Sequence, residues 1–582
     1  MKFSKFCTYL EKLEGTSLRN EMTVVLAELF KKLAEQEIKP AVYMLQGRIA
    51  PSFTGIEFNF SIKLLLRSFA KAHNLELEKV QQIYKQKGDI GLAGAVINEG
   101  SKSKSWDISY IFGKLQSLAG LSGKNSQADK QNLFAELIKG TSENELKYLA
   151  RIVVGNLRVG FSDKTILDSI SWTLYQDKSL RSTLDYAYGV RVDLGLIAEI
   201  ALIDGKKVLE QLTSVVGTPV APKLVEREKS TGSIFKRLGP CFIQPKYDGL
   251  RMQIHYSKKG WELATEIKSR EHVAIFSRNM ENITHMFPDI VAAVQELHVE
   301  SVVLDSEAIG FDPKTGKLLP FQETITRKRK SDILEKAKSI PLKVFVFDVL
   351  FLNGRDMLKK PLNERISAME KVMSGHKNIN ILAAETIKAE NESDISLIFQ
   401  RFVKEGLEGV IAKTLTDTYE PGTRNYVWIK LKAASQSELV DTVDAVALGY
   451  YLGTGVRAKF GIGAILIGIY DDKEDKFKSL TKVGTGFKDE QWGSIKTALD
   501  SFRMEKVPDN VMIDKKLVPD VICKPEIVVV VDADSISRSK TATGLSLRFP
   551  RLKEFDRKDK NPEQVTSVKE LTEMFNLVKG KK

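Results

Sequence analysis

The sequence contains few cysteines and lacks any long apolar run. Its 582 residues include only three cysteines, Cys7, Cys241 and Cys523, which lie far apart. Three scattered thiols cannot build a disulfide framework or a four-cysteine zinc site. No apolar run approaches the ~20 residues that a membrane span requires, and the start, MKFSKFCTYLEKLEG, lacks the apolar centre of a signal peptide. We therefore expect an intracellular protein whose thiols are buried or incidental.

Positive charge is in excess along the chain. The 88 Lys and Arg residues outnumber the 75 Asp and Glu residues, which gives a formal net charge of +13. This excess favours an anionic partner, and nucleic acid is the common one, although a merely basic protein is the alternative. At ~100–200 residues per domain, the length predicts two to four domains.

Three regions of the chain differ in their hydrophobic pattern. Residues 1–212 carry apolar residues at helical spacing, as in NEMTVVLAELFKKLAE. Residues 213–434 alternate short β-type runs with helical stretches, which predicts a mixed α+β domain. Residues 435–582 consist mainly of short strands whose number and spacing suit a small β-barrel. We therefore predict a multidomain protein with all-α, α+β and β-barrel domains, in that order.

The stretch QPKYDGLRMQIH places a lysine, Lys246, in a tight turn between two strand-like runs. A lysine amine with a reference pKa of ~10.4 is mostly protonated at neutral pH and cannot attack an electrophile. Nearby cations or desolvation would lower that pKa and free the lone pair. The sequence supplies many cations here, so Lys246 is a candidate nucleophile. A surface lysine in a turn is the alternative.

Two further strands carry charged residues in alternation. Lys430 and Lys432 share one face of YVWIKLK, and two neighbouring cations indicate an anion such as a polyphosphate, unless this is a solvated edge strand. Asp305 and Glu307 share the polar face of ESVVLDSEAIGF, and Glu408 begins another strand. Such carboxylates suit Mg²⁺ or a ribose hydroxyl, although each alone could be a salt-bridge partner.

Two phenylalanines, Phe345 and Phe347, fall on one face of the strand LKVFVFDVLF. One of them could stack on a nucleotide base, and packing in the core is the alternative.

In combination, these motifs resemble those of ATP-dependent DNA ligases, and the N-terminal stretches YMLQGRIAPSF and LARIVVGNLRVG resemble the archaeal and eukaryotic replicative type. The Lys-Tyr-Asp-Gly turn, with an arginine five residues after the lysine, matches the nucleotidyltransferase signature of that family. The remaining motifs follow in the family's order: FSRNMEN (Phe276–Asn282), LDSEAIGFD (Leu304–Asp312), PFQ with TRKR (Pro320–Arg329), FVFDVLFLNG (Phe345–Gly354), EGLEGVIAK (Glu405–Lys413), YEPGTRNYVWIKLK (Tyr419–Lys432) and GLSLRFPR (Gly544–Arg551).

The resemblance implies a helical DNA-binding domain (1–212), an adenylation (nucleotidyltransferase) domain (213–434) and an OB-fold domain (435–582). It implies an enzyme that uses ATP and Mg²⁺ to seal nicks in double-stranded DNA, through a lysyl-AMP intermediate and a DNA-adenylate, in replication, repair or recombination. We expect a monomer in the cytoplasm of a prokaryote, associated with the nucleoid. A sliding clamp is a candidate partner, although no clamp-binding peptide is evident.

The resemblance also assigns roles to residues. Lys246 is the implied nucleophile, and Glu307 and Glu408 are the implied Mg²⁺ ligands. Other residues are implied to hold the ribose (Arg251 and Glu307), contact the nucleotide or the nick phosphate (Arg278), stack on adenine (Phe347), hold the phosphates (Arg424, Lys430 and Lys432) or orient the leaving pyrophosphate (Arg548 and Arg551, with Arg557 and Lys560).

The chain departs from the family at three places, and one of them lies two residues before the nucleophile. The residue two before the nucleophile is usually Glu, which reads the amino group of adenine, whereas this chain has Gln244. The carbonyl of Gln244 can accept the same hydrogen bond without a charge.

Three alternatives remain at the level of sequence. An RNA ligase or an mRNA capping enzyme shares the Lys-x-Asp-Gly turn, although the long helical N-terminal region and the RFPR motif argue against both. A non-catalytic nucleic-acid-binding scaffold is a second alternative, which the retention of Lys246 and Glu307 disfavours. An NAD-dependent ligase would need a four-cysteine zinc module, which three cysteines cannot supply.

Overall fold

The computed structural model describes residues 1–262, 270–329, 331–375, 378, 380–433, 442–453, 457, 460–539 and 541–579. The chain divides into two compact units, Met1–Leu431 and Lys432–Lys582. No helix in these ranges is both long and apolar enough to cross a membrane.

The first part of the first unit is entirely helical, as predicted. Its helices pack around one large apolar core. Local signals agree with the boundaries: α9 begins at a capping box in which Ser142 and Glu145 exchange hydrogen bonds. The helices are α1 (Phe3–Glu14), α2 (Arg19–Phe30), α3 (Glu35–Leu45), α4 (Ile62–His73), α5 (Leu77–Lys87), α6 (Ile90–Ile97), α7 (Ile108–Gly120), α8 (Ser126–Ile138), α9 (Glu143–Val153), α10 (Asp163–Tyr175), α11 (Arg181–Val190), α12 (Leu194–Ile203) and α13 (Lys206–Glu210).

The second part of the first unit contains two β-sheets with helices on their outer faces. A five-stranded sheet has the order β1-β11-β10-β2-β9, and a six-stranded sheet has the order β4-β3-β5-β6-β7 with β8 paired to β6. The strands are β1 (Leu224–Arg227), β2 (Cys241–Lys246), β3 (Leu250–Glu262), β4 (Arg270–Ser277), β5 (Ser301–Gly310), β6 (Leu342–Leu352), β7 (Arg355–Asp356), β8 (Ile381–Ala383), β9 (Ile387–Ala389), β10 (Gly409–Thr414) and β11 (Arg424–Lys432). The helices are α14 (Thr231–Leu238), α15 (Pro288–Gln295), α16 (Phe321–Thr324), α17 (Ile333–Ser339), α18 (Leu362–Ser374) and α19 (Glu392–Lys404).

Alternation along three strands gives the five-stranded sheet two different faces. Two alternate residues of each of β2, β10 and β11 are buried in an apolar cluster with α14 and α19: Cys241 and Ile243, Val410 and Ala412, and Ile429 and Leu431. The intervening residues, including Gln244 and Lys430, therefore face the opposite side. The apolar pattern thus fixes which side chains remain for binding.

A connecting segment before β1 is clamped by two buried side chains of β3. The amide of Gln253 accepts from Val220 N–H at 2.7 Å and donates to Val220 C=O at 2.9 Å. Gly217 N–H donates to Nδ1 of His255 at 3.1 Å, so Nε2 carries the proton and donates to Gln253 Oε1 at 2.9 Å. Burial lowers the pKa of His255 to about 3, which matches the neutral ring that this network requires.

The second unit contains a curved, mainly antiparallel sheet. Its strand order is β15-β17-β12-β13-β14-β16, and β18 pairs with both β12 and β21. The elements are β12 (Val443–Tyr451), β13 (Ala464–Asp471), β14 (Lys476–Val483), α20 (Asp489–Asp500), β15 (Arg503–Met504), β16 (Val511–Met512), β17 (Val521–Cys523), β18 (Val528–Asp532), β19 (Ser535–Arg538), β20 (Leu545–Arg548), β21 (Arg551–Phe555) and α21 (Val568–Lys579).

The predicted fold class, with helical, α+β and OB-type β regions in succession, is confirmed. The helices of the first region end at Glu210 and the strands begin at Leu224. The three-domain boundaries stay a prediction, because the first two regions form one compact unit.

Candidate active site

A pocket of about 460 Å³ in the first unit is lined by both of its sheets. The five-stranded sheet contributes charged, polar and aromatic side chains that alternate along the strands, and the six-stranded sheet contributes an arginine, a glutamate and a phenylalanine. The lining residues used below are Gln244, Lys246, Arg251, Arg278, Glu307, Phe347, Lys413, Arg424, Trp428 and Lys430. The sequence predicted eight of these ten as site residues.

Lys246 is the last residue of β2, at the strand end where the sequence placed it. Gly249 closes the following turn, and a Cβ there would lie 2.4 Å from Ala308 O, so only glycine fits. The Lys246 ammonium forms an ion pair with the Glu408 carboxylate, and Glu408 N–H donates to Lys246 C=O at 3.1 Å. The pocket is rich in cations, as expected, but the direct contact of the lysine is a carboxylate.

Arg251 is fixed by a buried carboxylate rather than left free for a ligand. Its Nε and Nη2 donate to Asp305 at 3.0 and 2.7 Å, and Nη1 donates to Lys223 C=O at 3.0 Å. Burial alone would lower the pKa of Arg251, but the Asp305 carboxylate outweighs it and holds that pKa above its ordinary value. The sequence placed Asp305 beside Glu307 as a candidate ligand, whereas Asp305 serves to position Arg251.

Glu307 lies opposite Arg251 in the β3–β5 ladder and lines the pocket. Burial raises the pKa of Glu307 to about 7, against the opposing effects of Arg251 and Lys246. Because the buried carboxylate has lost its water, a hydrogen bond from a hydroxyl group or a bound cation would stabilise its charge.

The two phenylalanines of β6 have different partners. Phe345 stacks on Tyr247, with ring centroids 4.2 Å apart and planes 13° apart. Phe347 lines the pocket and contacts Trp428 edge-on at 6.5 Å. Of the two candidates for base stacking, Phe347 is therefore the one that lines the pocket.

The orientation of the Gln244 amide is set by its neighbours. Its Nε2 donates to Phe347 C=O at 3.3 Å and to the Thr386 hydroxyl at 2.9 Å. The Phe347 carbonyl can only accept a hydrogen bond. The Thr386 hydroxyl uses its own proton to donate to Ala384 C=O at 3.2 Å, so it also accepts from Gln244. Both neighbours therefore require the NH₂ group of Gln244 on their side. The oxygen is then the polar atom of Gln244 that remains for a ligand, and it is an acceptor.

The predicted phosphate-binding cations are distributed over both units. Arg424 and Lys430 of β11 line the pocket, and so does Arg278, which follows β4. Lys432 ends β11 and is the first residue of the second unit. In the second unit, Arg548 ends β20, and Arg551 begins β21 and pairs with Asp534 at 2.9 Å.

Arg557 and Lys560, which were also matched to the basic motif of the second unit, share one partner. Arg557 Nη1 lies 3.1 Å and Lys560 Nζ lies 2.5 Å from the carboxylate of Asp444 on β12.

Two of the ten lining residues named above were not predicted as site residues. Lys413 is the last residue of the motif EGLEGVIAK, and Trp428 lies within YVWIKLK. Both are 1% exposed. The alternation that singled out Lys430 also places Trp428 on the pocket face, two residues earlier, so this signal was present in the sequence.

The chain was compared with known proteins. The family model "ATP dependent DNA ligase domain" matches residues 222–432, "DNA ligase N terminus" matches 2–171, and "ATP dependent DNA ligase C terminal region" matches 458–560. A "Probable DNA ligase" of Dictyoglomus turgidum is 41% identical, with 100% of this chain and 99% of the relative aligned. A "DNA ligase" of Saccharolobus solfataricus is 34% identical, over 100% of this chain and 98% of the relative.

One solved structure supports the fold. The structure described as Pmar-Lig_PreS3 superposes with a TM-score of 0.55 at 17% identity, over 94% of this chain and 99% of that one. The three family models succeed one another along the chain, and the relatives align from end to end. The chain therefore belongs to the family of ATP-dependent DNA ligases.

Proposed function

We propose that this chain seals nicks in duplex DNA through a covalent adenylate on Lys246, with ATP as the nucleotide. The observation that carries the proposal is the position of Lys246, which ends a strand within a pocket of nucleotide size. Glu307 and Phe347 line that pocket from the facing sheet, and Arg424 and Lys430 line it from the same sheet as the lysine.

The reaction proceeds in three steps, each of which is a substitution at phosphorus. Lys246 Nζ attacks the α-phosphorus of ATP and forms a nitrogen–phosphorus bond. The phosphoanhydride bond between the α- and β-phosphates breaks, and pyrophosphate leaves. A 5′-phosphate oxygen of the nick then attacks the same phosphorus, which releases Lys246 and gives a DNA-adenylate. Finally, the 3′-hydroxyl attacks the 5′-phosphorus, closes the phosphodiester and expels AMP.

The resting contact between Lys246 and Glu408 bears on the first transfer. An ammonium held by a carboxylate has no lone pair to donate, so the amine must lose both its proton and this contact before it attacks. ATP binding changes the charge around this ion pair, and Glu408 is then placed to bind a cation.

The nucleoside is held by groups from both sheets. Phe347 stacks on the adenine, and the Gln244 oxygen accepts from its amino group. Glu307 accepts from the ribose, beside Arg251, which is fixed by Asp305 before ATP arrives. This preorganisation reduces the reordering that binding would otherwise cost.

The phosphates are held by cations that line the pocket. Arg278, Arg424 and Lys430 line the pocket, and Lys432 continues the strand beyond Lys430. For Arg548 and Arg551, in the second unit, we keep the role that the family resemblance implies, which is to orient the leaving pyrophosphate. Charge that develops on transferred phosphates is stabilised by such preplaced cations.

The donor set fits Mg²⁺ as a partner of the phosphates. Among the described residues, no three or more His, Cys, Asp or Glu side chains are arranged so that they could hold a metal ion by themselves. Mg²⁺ usually takes one or two carboxylates together with substrate phosphates and water, and Glu307 and Glu408 would hold it here. Bound there, the ion would neutralise carboxylate charge beside Lys246 and place positive charge on the phosphates.

We further propose the division into a helical DNA-binding domain (1–212), an adenylation domain (213–434) and an OB-fold domain (435–582). The enzyme acts as a monomer on nicked DNA in the cytoplasm of a prokaryote, near the nucleoid, and a sliding clamp is a candidate partner. The net charge of +13 supports association with a polyanion.

Nick sealing on defined substrates tests the proposal. The wild type should join nicked DNA with ATP and Mg²⁺, and should fail with NAD. Parallel reactions with GTP, ADP and nicked RNA address the alternative of an RNA ligase or another lysyl-nucleotidyl transferase. Lys246→Ala should lose ATP-dependent sealing but still join a nick that already carries the 5′-adenylate, because only the final transfer is then needed.

Lys388→Ala is the matched control, since Lys388 is an exposed lysine on the neighbouring strand β9, paired with Glu390. It should seal like the wild type. ATP-dependent sealing by Lys246→Ala would contradict the proposed nucleophile.

A further inference from the structure

Tyr419 is a buried tyrosine that none of the three steps above uses. It is 1% exposed, and its ring packs edge-on against that of Trp428 in the pocket wall, with centroids 5.8 Å apart and planes 88° apart. Its hydroxyl oxygen lies 2.9 Å from Asp305 Oδ2, 2.9 Å from Lys223 N and 3.4 Å from Arg251 Nη2. One oxygen atom therefore joins β5, β3 and the segment that precedes β1.

The hydrogen bonds of this hydroxyl have one consistent arrangement. The Lys223 N–H and the Arg251 guanidinium can only donate, so the hydroxyl oxygen accepts from both. Its own proton then goes to the carboxylate of Asp305. Burial, with the Asp305 carboxylate acting in the same direction, raises the pKa of Tyr419 well above its ordinary value. The phenol therefore keeps the proton that this arrangement requires.

The same carboxylate holds Arg251. Asp305 Oδ2 accepts from the Tyr419 hydroxyl at 2.9 Å and from Arg251 Nη2 at 2.7 Å, and Oδ1 accepts from Arg251 Nε at 3.0 Å. Arg251 Nη1 donates to Lys223 C=O at 3.0 Å, while the N–H of Lys223 donates back to Tyr419. These side chains and one peptide segment thus close a ring of hydrogen bonds. Of the two N–H donors on Nη1, one has no partner within the described residues, and Arg251 lines the pocket.

The ring depends on the Tyr419 hydroxyl at two points. Without the hydroxyl, the Lys223 N–H loses its acceptor and Asp305 Oδ2 loses one of its two donors. A buried N–H without an acceptor is costly, so the backbone at Lys223 would shift to find one, and the carbonyl that holds Arg251 Nη1 would move with it. The direction of the remaining N–H of Arg251 is therefore set by a hydroxyl that no ligand needs to touch.

We propose that Tyr419 is a positioning residue, whose hydroxyl orients the free N–H of Arg251 toward a ribose hydroxyl of ATP. The inference rests on the proposed adenylation of Lys246 and adds to it a residue that does not itself touch the nucleotide. The contact from Arg251 is made in the bound nucleotide as well as in the transition state. Its loss should therefore appear in KM rather than in kcat.

Ribose analogues of ATP test this contact in the absence of DNA. The readouts are kcat and KM for adenylation of Lys246 with ATP, 2′-deoxy-ATP and 3′-deoxy-ATP. For the wild type we expect kcat/KM to fall about tenfold or more with at least one analogue, the usual size for a hydrogen bond from a charged donor. In Tyr419→Phe, KM for ATP should rise about tenfold with kcat within about twofold, as expected when uniform binding is lost. The loss with that analogue should shrink to about threefold or less, because the contact is already weakened.

Tyr43→Phe is the matched control. Tyr43 is 5% exposed, and its hydroxyl donates to Asp193 at 2.8 Å in the helical part of the chain, so this variant loses the same kind of buried bond away from the pocket. It should keep the wild-type KM and the wild-type discrimination between ATP and the analogues. Melting temperatures check that each variant folds. If Tyr419→Phe unfolds at the assay temperature, Asp305→Asn, which weakens the same link to Arg251, takes its place with the same expectation.

The outcomes separate the inference from the proposed function. If the wild type is adenylated but loses nothing with either analogue, or if Tyr419→Phe keeps the full wild-type loss, Tyr419 does not orient a ribose contact. A fall in kcat at unchanged KM would contradict the inference equally. If no nucleotide labels Lys246, the proposed function itself fails. A ribose-specific loss that shrinks in Tyr419→Phe but not in Tyr43→Phe establishes the positioning role.

Discussion

The chemistry of the pocket depends on residues spaced two apart along strands. Gln244 and Lys246 alternate on β2, and Trp428 and Lys430 alternate on β11, while Ile243 on β2 and Ile429 on β11 are buried against helices. Each functional side chain is thus held by a strand whose other face is anchored in the core. A site built on such strands is positioned more rigidly than one built on loops.

Gln244→Met tests the base-reading role at the residue scale. The variant keeps the side-chain length but removes the oxygen that we assign to the 6-amino group of adenine. We expect the preference for ATP over purine riboside triphosphate, which lacks that amino group, to fall about tenfold, as is typical for one neutral hydrogen bond. The measurement is the ratio of kcat/KM for Lys246 adenylation with the two nucleotides. An unchanged ratio would reject the assignment.

His255 makes the stability of the first unit depend on pH. Its pKa is lowered from 6.5 to about 3 by burial, so the unfolded chain takes up a proton before the folded chain does. The contribution of the neutral His255 to the free energy of unfolding is therefore fully present above pH 6.5, and it is lost as the pH falls from 6.5 to 3. Between pH 7 and pH 5, we expect the free energy of unfolding to fall by about 2 kcal/mol because of His255.

Chemical unfolding at the two pH values measures this effect. His255→Gln, which can still accept from Gly217 and donate to Gln253 but does not titrate, should remove most of that difference. An equal pH dependence in wild type and variant would show that other groups cause it.

At the scale of elements, a buried ion pair joins helix α18 to strand β6. Arg365 donates to both oxygens of Asp348, at 2.9 and 3.1 Å, and both side chains are fully buried. The same guanidinium donates to the carbonyls of Lys360 and Asp417. One side chain therefore fixes the helix against the strand that carries Phe347.

A double-mutant cycle measures this contact. Arg365→Met leaves the Asp348 carboxylate buried and unpaired, which should lower the free energy of unfolding by about 3–5 kcal/mol. Adding Asp348→Leu removes the unpaired charge and should recover at least half of that loss. Urea unfolding followed by tryptophan fluorescence gives both values. No recovery in the double variant would mean that the carbonyl contacts, and not the charge pair, dominate.

Much of the element structure and of the site could be predicted from the sequence, because both follow from short-range pattern. Strand alternation identified Lys430 and Glu307, and the Lys-Tyr-Asp-Gly turn identified Lys246. Pairing between distant segments could not be predicted in this way. The partner of Lys246 is Glu408, more than 160 residues away, and Asp305 binds Arg251 across a ladder that no local pattern specifies.

Lys413 was missed for a related reason. Its position in EGLEGVIAK gives no sign of whether a lysine is exposed or buried. Its place beneath Phe347 and Trp428 depends on how the two sheets meet.

At the scale of the whole molecule, the positive charge predicts how the enzyme holds its substrate. A net charge of +13 favours contacts to phosphates, which position a protein on DNA without reading sequence. We expect the logarithm of the association constant for nicked DNA to fall linearly with the logarithm of salt concentration, by about 100-fold or more between 50 and 200 mM. Fluorescence anisotropy with two nicked duplexes of unrelated sequence measures this. A shallow slope, or a strong preference for one sequence, would contradict it.

The central claim is that one amine, that of Lys246, carries the nucleotide. Mass spectrometry of peptides after incubation with ATP and Mg²⁺, without DNA, tests it most directly. We predict a single adenylate on the peptide that contains Lys246, its removal by nicked DNA, and none in Lys246→Ala. An adenylate on a different side chain, or on none, would contradict it.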